Sequence, residues 1–240
     1  MLTRCITLAA AACLLAASSM AVANEAAVRK AFTAKFPKTQ VQSVTKLPYL
    51  NLYEIVVEGE VLYADEKFEY VIDGSIISTK NMTNLTEQRK RKLSAIAFDE
   101  LPLDLAFKRV KGSGERKMAV FSDPDCPFCR RVENDLAKLD NVTIYMFLYP
   151  IESLHANAPD VSKRIWCSPD KIKAWDDYMQ RGVEPGANGE CANPVDRIVE
   201  FGRKKGINGT PTLIFANGDR VPGAISAAQI ENYLSGKKEN

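Results

Sequence analysis

The chain has 240 residues and six cysteines, and its length allows one large domain or two smaller ones. Its formal net charge of +2 gives no electrostatic support to a nucleic-acid partner. Beyond the extreme N-terminus no segment is apolar for long enough to cross a bilayer, so we expect a soluble mature protein.

Residues 1–23 have the pattern of a cleaved secretory signal peptide. Arg4 supplies a positive charge ahead of the apolar residues 6–17, a stretch too short to span a membrane. Ala21-Val22-Ala23 then offers the small residues that a signal peptidase recognises. An uncleaved anchor is disfavoured because no flanking charges would stop its transfer. We expect the mature chain to begin at Asn24.

Export leaves four cysteines in the mature chain and changes its charge little. The four are Cys126, Cys129, Cys167 and Cys191. An even number of cysteines in an oxidising compartment indicates disulfide chemistry. The signal contains Arg4 and no acidic residue, so the net charge falls by one and still predicts no nucleic-acid binding.

The segment 24–84 is predicted to be a small N-terminal α+β domain. Apolar residues recur at helical spacing over 25–36, and Pro37 ends the pattern. Short runs rich in branched and aromatic residues follow, separated by turn signals such as Asp73-Gly74, which predicts an antiparallel sheet. So short a segment has little core of its own, and we expect it to pack on a partner surface.

Residues 85–101 are predicted to form a linker between two domains. From Thr86 to Asp99 the sequence has neither Gly nor Pro, and Thr86 is a candidate N-cap of a charged, largely solvated helix. The basic block at 89–92 is better explained by a solvated helix face than by nucleic-acid binding.

The remaining residues, 102–240, are predicted to form an α/β domain with a helical insertion. A strand over 118–121, a helix that opens at Cys126 and a strand over 142–148 indicate parallel strands joined by a crossover. A helical region over 161–204, broken near 182–194, forms the insertion. Strands over 212–215 and 220–221 and a final helix capped by Ser226 complete the pattern.

Cys126-Pro127-Phe128-Cys129 is the motif that carries chemistry. A Cys-x-x-Cys between a strand and a helix of an α/β unit is a redox signature, because the first sulfur lies among unpaired N–H groups at the helix start. That position favours thiolate over thiol, and Arg130 and Arg131 add to it if they turn toward the sulfur. We assign Cys126 as nucleophile and Cys129 as resolving thiol, with no cofactor beyond this redox-active pair.

A zinc site and a catalytic histidine are two alternatives that the sequence supports less well than a redox-active cysteine pair. A zinc site would need Cys167 and Cys191 as further ligands, yet these do not form a second close pair, so we expect no metal. His155, the single histidine, lies in a polar stretch and is predicted to be a surface residue rather than a ligand or general base.

Cys167 and Cys191 are predicted to form a structural disulfide. They flank a stretch rich in Gly and Pro, and closure of that loop would stabilise the fold by roughly 3 kcal/mol. Further along, Gly209-Thr210-Pro211 immediately precedes the apolar strand that begins at Thr212, a boundary at which proline is tolerated.

Together these motifs resemble the DsbC/DsbG family of periplasmic thiol:disulfide isomerases over the whole mature chain. The resemblance rests on the Cys126–Cys129 motif, on Ile165-Trp166-Cys167 with Cys191, and on Gly209-Thr210-Pro211. It implies a homodimer joined through cystatin-like N-terminal domains, with thioredoxin-like catalytic domains. It also implies a cis Thr210–Pro211 bond that presents backbone groups to substrate, and reduction by a membrane reductase of the DsbD type.

Pro127-Phe128 leaves the direction of the chemistry open. DsbC proteins usually have Gly-Tyr between the cysteines, and Pro-Phe is closer to the Pro-Tyr of DsbG; this dipeptide affects redox poise. The leading hypothesis is a periplasmic isomerase and reductase of incorrect disulfides in misfolded or misoxidised secreted proteins. The alternatives are a DsbG-like reductase of sulfenylated thiols with chaperone activity, a disulfide-forming oxidase, and a chaperone in which the thiols are incidental.

Overall fold

A computed structural model of the protein describes residues 24–236, so the predicted signal peptide at 1–23 lies outside the described residues. The chain divides into two compact units between Leu93 and Ser94. Within 24–236, no helix has both the length and the apolar character needed to cross a bilayer.

The first unit is a helix packed on a small antiparallel sheet. Its elements are α1 (residues 24–35), β1 (Val41–Lys46), β2 (Tyr53–Val57), β3 (Glu60–Ala64), β4 (Val71–Ile72), β5 (Ile77–Ser78), β6 (Thr83–Asn84) and α2 (Leu85–Ser94). The sheet runs in the order β1-β2-β3-β4, and β5 pairs separately with β6. Val28 and Phe32 of α1 are buried in one cluster with Tyr53 and Ile55 of β2, so helical spacing in α1 directs its apolar face onto the sheet.

Helix α2 is shorter than the sequence predicted and is not capped by Thr86. The amide of Glu87 donates to Asn84 Oδ1 at 3.0 Å, so Asn84 satisfies a backbone donor of the first turn. Thr86 is buried instead, with its hydroxyl 2.5 Å from the Tyr63 hydroxyl. The helix ends at Ser94, and Ile96, two residues further on, is buried in a hydrophobic cluster of the second unit.

The basic block of α2 is partly paired with the first unit. Arg89 Nε lies 2.8 Å from Glu54 Oε1, and Lys90 Nζ lies 2.6 Å from Glu60 Oε2. Of the ten residues of α2 only Thr86 is buried, in agreement with the largely solvated helix that the sequence predicted. The pairing of Arg89 adds a counter-charge to Glu54, a buried carboxylate of β2.

The second unit is built on a five-stranded mixed sheet. Its elements are β7 (Phe107–Lys111), β8 (Arg116–Ser122), α3 (Pro127–Leu136), β9 (Val142–Leu148), α4 (Ala158–Cys167), α5 (Lys171–Arg181), α6 (Val195–Lys204), β10 (Thr212–Phe215), β11 (Arg220–Pro222) and α7 (Ala227–Leu234), with two short 3-10 helices, Phe98–Glu100 and Leu103–Leu105, ahead of β7. The strand order is β11-β10-β8-β9-β7, in which β8 and β9 are parallel and the other pairs antiparallel.

Both faces of the central strand β8 are covered. Met118 and Val120 belong to one hydrophobic cluster, with residues of α3, α4 and α5, whereas Ala119 and Phe121 belong to a second cluster with Ile198 of α6. Burial on both faces explains why β8 reads as a continuous apolar run rather than an alternating one. The β8–β10 pairing places the end of β8 beside the start of β10, and α3 begins after the loop that follows β8.

Candidate active site

Cys126 is the N-cap residue of α3, as the sequence predicted for the start of this helix. Its backbone is extended, with φ −76° and ψ 121°, and Pro127 occupies the first helical turn. The carbonyl of Cys126 accepts hydrogen bonds from the amides of Cys129 and Arg130 at 3.1 and 3.2 Å. Proline fits here because the N–H that it lacks would have no helical partner.

The Cys126 sulfur lies in surroundings that favour the thiolate. Hydrogen bonding from the Cys129 side chain, aided by the Cys129 backbone amide and opposed by burial, lowers the pKa of Cys126 to about 5. Donors to a sulfur at a helix start stabilise negative charge in the way expected for a reactive cysteine. Cys126 is therefore suited to attack a disulfide at neutral pH.

Cys129, one turn further along α3, has the opposite character. Burial and its hydrogen bond to Cys126 raise the pKa of Cys129, and its side chain is fully buried. The backbone amide of Asp123 approaches its sulfur at 3.4 Å. The structure thus holds two free thiols with opposed proton affinities, Cys126 disposed to ionise and Cys129 to remain protonated.

The start of β10 lies against the Cys126 sulfur. Thr212 pairs with Phe121 of β8, and this register brings Thr210 to the cysteine, whose Sγ is 3.4 Å from the Thr210 carbonyl oxygen. The Thr210–Pro211 peptide bond is cis. Although 84 residues separate Cys126 and Thr210 in sequence, the β8–β10 pairing makes them neighbours.

The two arginines after the motif do not turn toward the sulfur. The Arg130 guanidinium lies 5.5 Å from the ring centre of Tyr178, and that of Arg131 lies 5.4 Å from the ring centre of Phe128. Both contacts are cation–π interactions. Phe128 is 55% exposed and extends the apolar surface next to Cys126.

A buried carboxylate that the sequence analysis missed lies just ahead of the motif. Asp123 is fully buried, and its Oδ1 accepts from the amide of Asp125 at 2.8 Å. Its Oδ2 accepts from the amide of Ile151 at 2.7 Å and lies 3.0 Å from His155 Nδ1. His155 is thus a partner of this site and not an isolated surface residue. Its hydrogen bond to Asp123 raises the pKa of the imidazole.

A second buried carboxylate, on α3 itself, holds this helix to its neighbours. Glu133 Oε1 accepts from Trp175 Nε1 at 2.9 Å, and Glu133 Oε2 lies 2.9 Å from Arg109 Nη1. Arg109 also reaches Asp176. These contacts join β7, α3 and α5 around a charge that burial alone would make costly.

Cys167 and Cys191 are joined by a disulfide that closes a loop across a separation of 24 residues. Arg164, one turn before Cys167, donates from Nε to the carbonyl of Ala187 at 3.1 Å and pairs with Glu184 at 3.0 Å. The loop between α5 and α6 is thereby held to α4. Among residues 24–236, no cluster of His, Cys, Asp and Glu side chains is arranged to hold a metal ion.

The chain matches two family models and a set of named relatives. Residues 19–87 match the disulfide bond isomerase protein N-terminal domain, and residues 103–237 match a thioredoxin-like domain. The probable thiol:disulfide interchange protein DsbC of Bordetella pertussis is 41% identical over 208 residues, which cover 87% of this chain and 73% of that protein. The chain belongs to the DsbC family of thiol:disulfide interchange proteins.

More distant DsbC relatives cover most of the chain as well. The DsbC protein of Salmonella typhimurium is 26% identical over 224 residues, 90% of each chain. The crystal structure of a disulfide interchange protein from Neisseria gonorrhoeae is 44% identical, with a TM-score of 0.55, and covers 58% of this chain and 100% of that one.

Membership of the DsbC family confirms three of the sequence predictions. The family itself is the one that the motifs resembled. The fold is an N-terminal DsbC-type α+β domain followed by a thioredoxin-like α/β domain with a helical insertion. The activity is that of a thiol–disulfide oxidoreductase of the isomerase and reductase class.

Proposed function

We propose that this DsbC-family enzyme works in the periplasm, after cleavage of residues 1–23, on misfolded or misoxidised secreted proteins. It isomerises or reduces their incorrect disulfides through Cys126 and Cys129, without a further cofactor. We assign Thr210 and Pro211 to substrate binding and the Cys167–Cys191 bridge to structure. A membrane reductase of the DsbD type would keep the Cys126–Cys129 pair reduced.

The observation that carries this proposal is the asymmetry of the two thiols. The Cys126 thiolate attacks one sulfur of a substrate disulfide, forms a mixed disulfide and releases the other substrate sulfur as a thiolate. In isomerisation, a second substrate thiolate attacks the mixed disulfide and regenerates Cys126. In reduction, Cys129 loses its proton and attacks Cys126 Sγ, which leaves a Cys126–Cys129 disulfide and a substrate dithiol. The DsbD-type partner then returns two electrons.

Burial of Cys129, the largest cause of its raised pKa and one that persists when Cys126 is in a mixed disulfide, favours isomerisation over premature release. A resolving thiol that stays protonated attacks slowly, because the thiolate is the nucleophile, and so the mixed disulfide persists long enough for a substrate thiol to attack it. The Thr210 carbonyl beside Cys126 gives an extended substrate backbone an acceptor next to the reacting sulfur.

Serine replacement of each cysteine tests the roles. Cys126→Ser should lower the refolding of a scrambled, multiply bridged protein to the uncatalysed rate, because no nucleophile remains. Cys129→Ser should still attack and should accumulate mixed disulfides with substrate, visible as a larger species on a non-reducing gel. Mixed disulfides formed by Cys126→Ser but not by Cys129→Ser would reverse the assignment, and unchanged refolding by Cys126→Ser would refute it.

The Pro127-Phe128 dipeptide supports a second candidate, a DsbG-like reductase of sulfenylated thiols. Such a reductase needs the same attack by Cys126 on an electrophilic sulfur, with Cys129 as resolving thiol. Initial rates on a scrambled protein and on a protein with one sulfenylated cysteine separate the two. A faster rate on the scrambled substrate supports the isomerase, and the reverse supports the DsbG-like enzyme.

We further propose that residues 24–84 form the subunit interface of a homodimer. Strand β4 pairs with β3 and lies at one edge of the four-stranded sheet. At this edge Tyr70, Val71 and Ile72 are 73%, 44% and 48% exposed. An apolar edge strand with free backbone groups is a template for pairing with another chain, and a second copy would satisfy it by two-fold symmetry.

Lysine substitutions on β4 test the dimer. Val71→Lys with Ile72→Lys should convert a sedimenting dimer into a monomer, because charge on an edge strand opposes pairing. Val110→Lys is the matched control: Val110 lies on β7, an edge strand of the second unit, and is 55% exposed. A monomeric unaltered protein, or a β4 variant that still sediments as a dimer, would contradict the proposal.

A further inference from the structure

Asp123 contacts both cysteines through its backbone. Its amide lies 3.4 Å from the Cys129 sulfur, and its carbonyl oxygen accepts from the amide of Cys126 at 3.2 Å. A displacement of Asp123 therefore moves the groups around both sulfurs. The position of Asp123 is set in turn by its own side chain.

The Asp123 carboxylate is fully buried and needs a counter-charge. Two backbone amides, those of Asp125 and Ile151, donate to it. Amides satisfy its hydrogen bonds but carry no net charge, and an uncompensated buried carboxylate is costly. The third partner is the imidazole of His155, which is 22% exposed and can exchange protons with solvent.

We propose that His155 is a positioning residue for thiol–disulfide exchange, acting through Asp123: as imidazolium it neutralises the buried carboxylate and thereby favours the thiolate of Cys126. This inference rests on the proposed role of Cys126 as nucleophile. When His155 loses its proton, the Asp123 carboxylate is left as an uncompensated negative charge on the residue whose backbone contacts both cysteines. Like charge close to a thiolate disfavours ionisation.

The groups around the imidazole are consistent with this coupling. The hydrogen bond to Asp123 raises the pKa of His155 most, and burial opposes it. The charges of Asp125, in the loop before α3, and of the Cys126 thiolate, at the start of that helix, favour the imidazolium further. Asp125 is itself bound by the Tyr178 hydroxyl of α5 at 2.6 Å. Glu152, on the same loop as His155, is exposed.

The sign of the pH dependence follows from these contacts. The pKa of Cys126 is lowered to about 5, and that of His155 is raised above its usual value. At a pH between these two pKa values, the Cys126 thiolate and the His155 imidazolium coexist. The net charge of the site is then one unit less negative than it would be with neutral His155. Above the pKa of His155 the thiolate loses this support.

The test compares His155→Asn, His155→Arg and Lys117→Gln in the reduced full-length mature protein. Asn keeps an N–H donor for Asp123 but no charge, and Arg keeps a permanent charge. Lys117→Gln removes one exposed cation elsewhere on the second unit. The readout is the pH dependence of Cys126 alkylation by iodoacetamide, located by mass spectrometry.

We expect His155→Asn to raise the pKa of Cys126 from about 5 to about 6, whereas His155→Arg and Lys117→Gln leave it in place. If the pKa of Cys126 does not change in His155→Asn, the imidazole only anchors the loop. An equal rise in His155→Arg would show that packing and not charge is responsible. Either result overturns the inference. The readout needs no turnover, so failure of the proposed function, seen as full activity of Cys126→Ser, is distinguishable from both.

Discussion

The two cysteine pairs of the second unit lie in opposite settings. Cys126 and Cys129 are three residues apart at the start of α3, and their sulfurs carry opposed pKa shifts. Cys167 ends α4, and Cys191 lies beyond α5 in the loop that leads to α6, across a separation of 24 residues. The Cys126 sulfur contacts groups that change the stability of a thiolate, namely the amides of α3 and the Thr210 carbonyl.

The difference shows how one residue type serves reactivity in one place and constraint in another. Bridging neighbours at a helix start restricts the unfolded chain little, so a Cys126–Cys129 bond adds little loop-closure entropy and can be made and broken in each cycle. Bridging across a long loop restricts the unfolded chain strongly. Reactivity depends on the local hydrogen bonds of each sulfur, and constraint depends on the separation along the chain.

Removal of the long-range bridge should lower the stability of the protein strongly. We expect Cys167→Ala with Cys191→Ala to lower the free energy of unfolding by about 3 to 4 kcal/mol, the loop-closure value for a loop of this length. Urea unfolding of oxidised mature protein, followed by tryptophan fluorescence, measures it. The same variant should still form mixed disulfides through Cys126, assayed at a temperature where it is folded. Loss of mixed-disulfide formation by the folded variant would show that the two pairs are not independent.

The pH should also change the stability of the reduced protein. The pKa of Cys126 is about 5 when folded and about 8.5 in an unfolded chain, so its ionisation stabilises the fold at high pH and ceases to do so as pH falls through the folded value. The raised pKa of Cys129 acts in the opposite direction above the unfolded value. The contribution of the two thiols to the free energy of unfolding should therefore rise between pH about 5 and about 8.5 and fall beyond. The raised pKa of His155 acts in the opposite direction, because the stability that it contributes is lost as pH rises through that pKa.

The matched comparison for this pH effect is Cys126→Ser, in which the rise should disappear while the fall above the unfolded pKa of a cysteine remains. The protein with an oxidised Cys126–Cys129 pair should show neither change. A parallel rise in the reduced protein and in Cys126→Ser would assign the effect to other groups.

Local features of the site were predictable from sequence, and its long-range contacts were not. The start of α3 at Pro127 follows from residue types within one helical turn. The pairing of Asp123 with His155 spans 32 residues and depends on how the loop after β9 folds back, which no local pattern encodes. The salt bridge between Glu133 and Arg109 depends likewise on β7, α3 and α5 meeting around one buried charge.

The fold was predictable wherever apolar residues recur clearly at the spacing of a strand or a helix. The predicted strand over 142–148 coincides with β9, and Ser226 caps α7 as expected. Strand β7 was missed because it is an edge strand in which Lys108, Arg109 and Lys111 interrupt the apolar pattern. The helix boundary at Ser94 was missed because no Gly or Pro marks it in the sequence.

The opposed reactivities of the two thiols are tested most directly by the pH dependence of alkylation of each thiol in the reduced, unmodified protein. Iodoacetamide should label Cys126 with a midpoint near pH 5, while Cys129 stays unlabelled through the neutral range. Labelling of Cys129 before Cys126, or equal labelling of both with a midpoint near the ordinary cysteine value of about 8.5, would contradict this prediction.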